Sequence, residues 1–172
     1  MDHNYYLEFE NIIIRPLDIK DIEKLRIWRN DSKNNQFLKK IPHITKETQR
    51  EWYENYLNNP DEITFAIEEN KELKRLVGSV SLYDFNNDQV EFGKILIGDE
   101  EAHGKKVGLN ATKAVLTIAF ELLKMKRVCL KCYGDNEKAM NIYKTAGFTI
   151  KDKYYNDGKL EYLMDKKVDK EK

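Results

Sequence analysis

Three stretches of this chain hold residues whose types and spacing could do chemistry. In the first, Ile95-Leu96-Ile97 leads through Gly98-Asp99-Glu100-Glu101-Ala102 into His103-Gly104-Lys105-Lys106-Val107-Gly108, where a helical pattern begins. The first N–H groups of a helix have no partner within it, and the macrodipole puts partial positive charge there. Glycines let the backbone approach an anion closely, and Lys105 and Lys106 add charge, so a pyrophosphate is the natural guest. The same junction also occurs where no ligand binds. No Gly-Lys-Ser/Thr closes a triphosphate loop, and the G-x-G-x-x-G spacing of a dinucleotide site is absent. In the second stretch Asn136 opens a helix, Tyr143 follows on the same face, and Gly147-Phe148 ends it. Alone, that describes a capped amphipathic helix with a core tyrosine. The third is the pair Cys129 and Cys132, spaced C-x-x-C. Both fall in a β-like run, where residues three apart face opposite sides, and His3, His43 and His103 are scattered. A structural pair therefore fits better than a redox or metal site, and no metal is expected.

The elements that must position these residues follow from periodicity. Residues 11–15 read as a strand ended by Pro16. Asp18 reads as the cap of a helix running to about residue 30, with Ile19, Ile22 and Leu25 at helical spacing. Residues 32–43 read as a loop. Thr45 caps a second helix whose apolar stripe is Trp52, Tyr53 and Tyr56. Strands at 63–68, 76–85 and 89–97 follow, the last two joined by the turn at Asn86-Asn87-Asp88, and the interior Gly93 signals a bulge or a close backbone approach. The strongest helix spans 105–124, with Val107, Ala111, Ala114, Val115, Ile118, Ala119 and Leu122 on one face. A strand at 127–133, a helix at 136–146 and strands at 148–153 and 161–167 complete the order, the last two joined at Asn156-Asp157-Gly158.

Composition excludes some classes. The chain has 172 residues with 30 Lys plus Arg against 30 Asp plus Glu, so it lacks the basic excess of a phosphate-neutralising nucleic-acid binder. No run of about 18 apolar residues signals a membrane span, and the polar start lacks the pattern of a signal peptide, which together point to the cytoplasm. A single α/β domain over 1–172 is expected, with two helices in the part at 1–60, the main sheet and the later helices at 61–167 and a frayed polar tail at 168–172.

Taken together and in this order, the first two stretches resemble the GNAT superfamily of N-acetyltransferases. The family carries Arg/Gln-x-x-Gly-x-Gly/Ala on the coenzyme A pyrophosphate and, some forty residues on, Asn-x-x-Ala-x-x-x-Tyr-x-x-x-Gly-Phe. Asn136, Ala139, Tyr143, Gly147 and Phe148 match the second pattern. In the first, Gly108 is in place and Gly104 supports the loop, while His103 stands where Arg or Gln is usual and Lys106 stands at the first motif glycine. Ile13-Ile14-Arg15-Pro16-Leu17, Trp28-Arg29-Asn30 and Glu91-Phe92-Gly93 are similar to one branch, which includes ribosomal-protein N-terminal, spermidine and nucleotide-linked amino-sugar acetyltransferases.

The resemblance implies a mostly antiparallel sheet of about seven strands flanked by about four helices, splayed at a central parallel pair, with acetyl-CoA as co-substrate. It implies that His103, Gly104, Lys105, Lys106, Val107 and Gly108 grip the pyrophosphate, and that Asn136 bonds the pantetheine arm. Backbone groups of Leu96 and Ile97 pair with the arm and polarise the thioester carbonyl. A neutral amine then attacks directly, with Tyr143 as acid for the departing thiolate and Glu91 as base. For Glu91, a strand-end carboxylate paired with a lysine is the competing reading.

The resemblance makes 61–167 the acetyl-CoA-binding core, and in this superfamily the helices that correspond to 1–60 usually wall the acceptor site. Here they and their loop hold Arg26, Arg29, Lys33, Lys39, Lys40, His43, Lys46 and Arg50, balanced in part by Glu47, Glu51 and Glu54. An anionic phosphate would be steered in and a polycation repelled, which favours a nucleotide-linked amino sugar over a polyamine. Trp28, Arg29, Phe37, His43 and Tyr83 are the candidate acceptor contacts; Trp52 and Tyr53 read as core. A peptide N-terminus stays open as acceptor, as do a non-catalytic acyl-CoA-binding role and assembly as a homodimer.

Overall fold

The computed structural model describes residues 1–168. The chain forms β1 (Leu7–Phe9), β2 (Ile12–Pro16), α1 (Ile22–Asn30), α2 (Lys46–Leu57), β3 (Glu62–Glu69), β4 (Arg75–Asn86) and β5 (Gln89–Ile97). Then come α3 (Val107–Thr117), β6 (Arg127–Tyr133), α4 (Glu137–Thr145), β7 (Thr149–Asn156) and β8 (Lys159–Lys167). One 8-stranded sheet has the order β1-β2-β3-β4-β5-β6-β8-β7. Every neighbouring pair is antiparallel except β5 with β6. The expected sheet of about seven strands thus gains β1, an edge strand of 3 residues whose Leu7-Glu8-Phe9 alternation is too short to read as a strand.

Strand alternation sorts the core onto the two faces. Ile63, Phe65 and Ile67 of β3 pack with Val90 and Phe92 of β5 under α3 and α4, while Ala66 packs on the other face with Leu25 of α1 and Tyr56 of α2. Helices α1 and α2 therefore lie on the opposite side of the same strands from α3 and α4.

Several boundaries move for identifiable reasons. Helix α1 starts at Ile22 rather than after Asp18. The Asp18 carboxylate accepts from the Lys20 N–H at 2.8 Å, and the Asp21 carboxylate accepts from the Asp18 N–H at 2.8 Å. These side chains hold a tight turn that competes with helix. Asp21 is also buried in a two-point pair with Arg15 at 2.8 and 2.9 Å, which fixes α1 to β2. Thr45 caps α2 as expected, with Thr48 completing a reciprocal capping box. The helix read at 105–124 begins only at Val107 and passes after Thr117 into a wider turn, in which the Leu123 N–H reaches the Ile118 carbonyl at 2.9 Å. That insertion rotates Leu122 out of the apolar stripe to 50% exposure. Trp52, expected in the core, lies at the surface and stacks on Tyr56 at 5.6 Å. Asp165 of β8 is 2% exposed and pairs with Arg127 at 2.7 Å. The tail expected at 168–172 lies outside the described residues beyond 168.

Glu69, at the end of β3, is buried to 1% exposure, and its carboxylate accepts from the N–H groups of Lys71, Glu72 and Leu73 at 3.1, 2.9 and 2.6 Å. Burial pushes the carboxyl pKa up, but these three donors outweigh it, and the pKa ends below its ordinary value. A depressed carboxylate pKa contributes stability above the unfolded-state value and loses it as pH falls through the folded-state value. Glu69→Gln is therefore expected to lose about 1–3 kcal/mol at pH 7, because an amide N–H₂ then faces backbone donors. In urea unfolding the gap between variant and parent should narrow below about pH 4.

Candidate active site

Strands β5 and β6 pair over a short distance only: Gln89 with Arg127, Val90 with Val128, and Glu91 with Cys129. Beyond those residues the strands part. β5 stays on β4 through Ile97, and β6 stays on β8 through Tyr133, so the facing edges of 92–97 and 130–133 are unpaired with each other. The cause is local to β5. Its register with β4 shifts by one residue between Gly93 and Leu96, and Lys94 sits there at φ 51°. A left-handed non-glycine residue costs roughly 1–2 kcal/mol and bends the strand. The bulge signalled by Gly93 is thus taken by its neighbour, and Gly93 supplies the close approach: a Cβ there would lie 2.7 Å from the Tyr83 hydroxyl.

Glu91 projects from the last paired position of β5. Tyr83 donates to its carboxylate at 3.0 Å, and the Lys131 ammonium lies 3.5 Å away. Burial and the adjacent Glu91 charge push the Tyr83 phenol far above its ordinary range, so Tyr83 is a fixed donor. The Lys94 ammonium lies 4.7 Å above the Tyr83 ring and pairs with Glu62 at 2.7 Å. A cavity of about 410 Å³ opens beside Glu91 and is lined also by Asp61, Asp84, Asn86 and Gln89. Lys131 was missed from sequence because it is a diagonal neighbour of Glu91, visible only once the β5–β6 register is known.

On the other face of β5, Phe92 meets Tyr143 of α4 edge-on at 6.0 Å, and Phe148 closes the group, also 6.0 Å from Tyr143. Tyr143 is 7% exposed, and its hydroxyl bonds to no protein group among the described residues. Burial, with nearby Cys132 adding to it, pushes this phenol well up, so it stays protonated at neutral pH. The Asn136 side-chain oxygen caps α4 by accepting from the Ala139 N–H at 3.2 Å, and Gly147 takes φ 98° after its last turn.

At the far end of β5 the chain enters α3 through a strained turn, with Gly104 at φ 80° and Lys106 at φ 60°. The N–H groups of Gly104, Lys106, Val107, Gly108 and Leu109 donate to no backbone acceptor among the described residues. They form a cradle of donors at a helix N-terminus, which suits a pyrophosphate. A Cβ on Gly108 would meet only Ile142 at 3.3 Å, so the protein's own packing tolerates more than glycine there. His103 turns its Nε2 to the Ile97 carbonyl at 2.9 Å, fastening the turn to β5. Lys105 is ion-paired with Glu72, leaving the exposed Lys106 as the freer charge. The Leu96 carbonyl lies against Gly78 of β4, where a Cβ would come within 2.1 Å of it.

The acceptor candidates separate. The Trp28 ring lies on Gly98, 2.2 Å from where a Cβ would stand, so α1 abuts the end of β5. The Arg29 guanidinium is engaged by the Asn35 side chain and the Lys39 carbonyl, so it shapes the loop at 31–45. Phe37 is half-buried and His43 exposed on that loop, which Lys33 ties to Glu100 at 3.0 Å. Tyr83 stands on the sheet beside Glu91. Arg26 pairs with Glu23 at 2.9 Å and Arg50 with Glu54 at 3.4 Å, which reduces the basic field read from composition.

The chain matches the acetyltransferase (GNAT) domain over residues 11–149. It belongs to the GNAT acetyltransferases. An N-acetyltransferase 9-like protein of Caenorhabditis briggsae is 23% identical over 158 residues, covering 86% of this chain and 79% of that protein. Among solved structures, the spermidine N-acetyltransferase of Vibrio cholerae in complex with CoA and spermine superposes with a TM-score of 0.81 at 21% identity, covering 91% of this chain and 95% of that one. The nucleotide-linked sugar GNAT FdhC gives 0.76 at 22%, covering 94% and 90%. This GNAT chain is thus an N-acetyltransferase whose mixed sheet, opened at its parallel pair, is the fold shared with those neighbours.

Both cysteines of the enzyme are buried free thiols, and burial pushes the Cys129 pKa up and the Cys132 pKa to about 11. Neither is poised as a nucleophile. In the folded enzyme at pH 8, Cys132 is expected to react with an aromatic disulfide reagent on the order of a hundredfold more slowly than in the denatured chain, since thiolate falls tenfold per pKa unit. Thiol titration in the presence and absence of denaturant measures this directly.

Proposed function

We propose that the enzyme transfers the acetyl group of acetyl-CoA to a primary amine by direct attack, and that the acceptor is a nucleotide-linked amino sugar. The observation that carries the reaction is the opened gap between β5 and β6, with the Tyr143 phenol on one face of β5 and the Glu91 carboxylate on the other. Acetyl-CoA supplies the acetyl group as a thioester. The donor set of the anion turn fits its pyrophosphate: Gly104, Lys106, Val107, Gly108 and Leu109 give N–H groups, Lys106 gives charge, and His103 and Lys105 hold the turn. Asn136 retains its side-chain N–H₂ for the arm. Leu96 and Ile97 offer backbone groups to the arm and the carbonyl, as an oxyanion hole does. Glu91, held by Tyr83 and Lys131, accepts the amine proton directly or through water. Tyr143 donates its proton to the sulfur as the C–S bond breaks.

The acceptor reading rests on charge at two places. An amine end suits the carboxylates of Glu91, Asp61 and Asp84 around the cavity. A diphosphate end suits the exposed Lys39, Lys40 and His43 on the loop that Arg29, Lys33 and Trp28 tie to the end of β5. FdhC, a nucleotide-linked sugar GNAT by its description, supports the same assignment. Trp28 and Phe37 add flat surfaces for a sugar or base. A polyamine is the second reading, favoured by the three carboxylates of the cavity and by the spermine complex of the Vibrio cholerae enzyme.

Tyr143→Phe is expected to lower turnover about 10²–10⁴-fold with CoA affinity retained. Glu91→Gln should lose most activity at low pH, where free amine is scarce. Wild-type turnover by Tyr143→Phe in single-turnover assays would make it a core residue only, and an unchanged pH profile would remove Glu91 from the reaction. Acceptor choice is read by competition between a uridine-diphosphate amino sugar, spermidine and a basic N-terminal peptide at matched concentration with excess acetyl-CoA. The sugar nucleotide is expected to win. Preference for spermidine that persists at raised salt establishes the second reading, and preference for the peptide rejects both.

A further inference from the structure

The turn that presents the free N–H groups carries a left-handed residue at Lys106, which is not a glycine. An L side chain disfavours that conformation, and a turn of this kind can relax by rotating the peptide between residues 105 and 106. Such a rotation moves the Lys105 carbonyl and the Lys106 N–H together. The oxygen would then face the anion where a donor is needed, so something must hold the Lys105 carbonyl in place.

That hold comes from a residue remote in sequence. The Asn11 side-chain N–H₂ donates to the Lys105 carbonyl at 3.0 Å, and the Asn11 side-chain oxygen accepts from the Asn110 side chain at 2.8 Å. One amide thus spans the strained turn and the first turn of α3. Asn11 is itself fixed: its carbonyl accepts from the Asn70 N–H at 3.0 Å, and Glu10 before it takes φ 55° to turn the chain from β1 into β2. Asn70 adjoins Glu69, whose carboxylate organises the β3–β4 turn, and Glu72 of that turn pairs with Lys105. Two neighbouring strand connections therefore buttress the turn from outside the helix it belongs to.

We infer that Asn11 is a positioning residue for coenzyme binding, holding the Lys105 carbonyl away from the anion so that the strained Lys106 turn presents N–H groups only. This rests on the reading that the CoA pyrophosphate sits on the 104–109 turn. Asn11 touches no reacting atom. It offsets the strain that a glycine at position 106 would not have.

The test is CoA binding by calorimetry, together with steady-state kinetics, on the full chain. Asn11→Ala is expected to raise the Kd for CoA and the KM for acetyl-CoA about tenfold, as for loss of a hydrogen bond that leaves a carbonyl unpaired, with kcat at saturation unchanged. The effect should shrink in the Lys106→Gly background, where the left-handed turn carries no strain. Asn110→Ala, which removes only the support of the Asn11 amide, should give a smaller rise in the same direction. Circular dichroism and Tm on each variant separate a folding loss from a binding loss, and recovery of affinity by Asn11→Ala with Lys106→Gly cannot come from global unfolding. Equal effects of Asn11→Ala in both backgrounds, or a fall in kcat with KM unchanged, would overturn the inference. Gly108→Glu serves as the independent control. If that variant binds CoA as tightly as wild type, the placement of the pyrophosphate fails and the inference with it. If Gly108→Glu abolishes binding while Asn11→Ala has none of its expected effect, only the role of Asn11 fails.

Discussion

A sheet leaves its central strands unpaired at a cost in backbone hydrogen bonds, and the site depends on that cost being met at one place. β5 and β6 run parallel, share three register pairs, and then diverge because β5 bulges at Lys94 while remaining bonded to β4. Each strand keeps its outer partner, so the sheet loses pairing on one edge of each only. The gap is stiff, since β4 and β8 hold the diverging strands along their lengths. A flexible chain with its own amide groups is the ligand such an edge can pair with, by the physics of strand addition.

Alternation along β5 ahead of the bulge sorts the side chains onto both faces. Strand alternation sends Glu91 to the side of α1 and α2, and Phe92 to the side of α3 and α4. Glu91 there finds Tyr83 and Lys131, and Phe92 there packs on Tyr143. The titratable groups on the two faces, Glu91 of β5 and Tyr143 of α4, thus sit in different surroundings. Burial keeps the phenol of Tyr143 protonated, whereas the carboxylate of Glu91 has a cation and a donor at hand.

At the end of β5, Gly98 admits the Trp28 ring, His103 ties back to Ile97, and Asn11 holds Lys105. The same few residues therefore join α1, the end of β5 and the turn that leads into α3. Side chains that composition suggested as a basic field serve this junction instead. Arg29 organises its loop and Lys33 bridges to Glu100, which leaves the exposed Lys39, Lys40 and Lys46 as the lysines facing outward, beside the exposed His43 ring.

The sequence by itself determined the element order from β2 onward, the cap at Thr45, the hairpin at Asn156-Asp157-Gly158, the Asn136-to-Gly147 helix and the glycine-marked turn. These are local: each follows from side-chain periodicity, capping chemistry or a left-handed turn position, and none needs a distant partner. It also singled out Glu91 and Tyr143, though only through their place in a motif. Tertiary structure decided what no local pattern encodes. The bulge fell on Lys94, beside a Gly93 that the Tyr83 ring covers. α1 began late because Asp21 is drawn to Arg15, and the last turn of α3 widened and turned Leu122 outward. Lys131 and Asn11 reached their partners across strand register and 94 residues of chain, respectively. Register and long-range hydrogen bonds depend on which residues the folded sheet brings opposite one another, and a linear pattern carries that information only after the strand order is known.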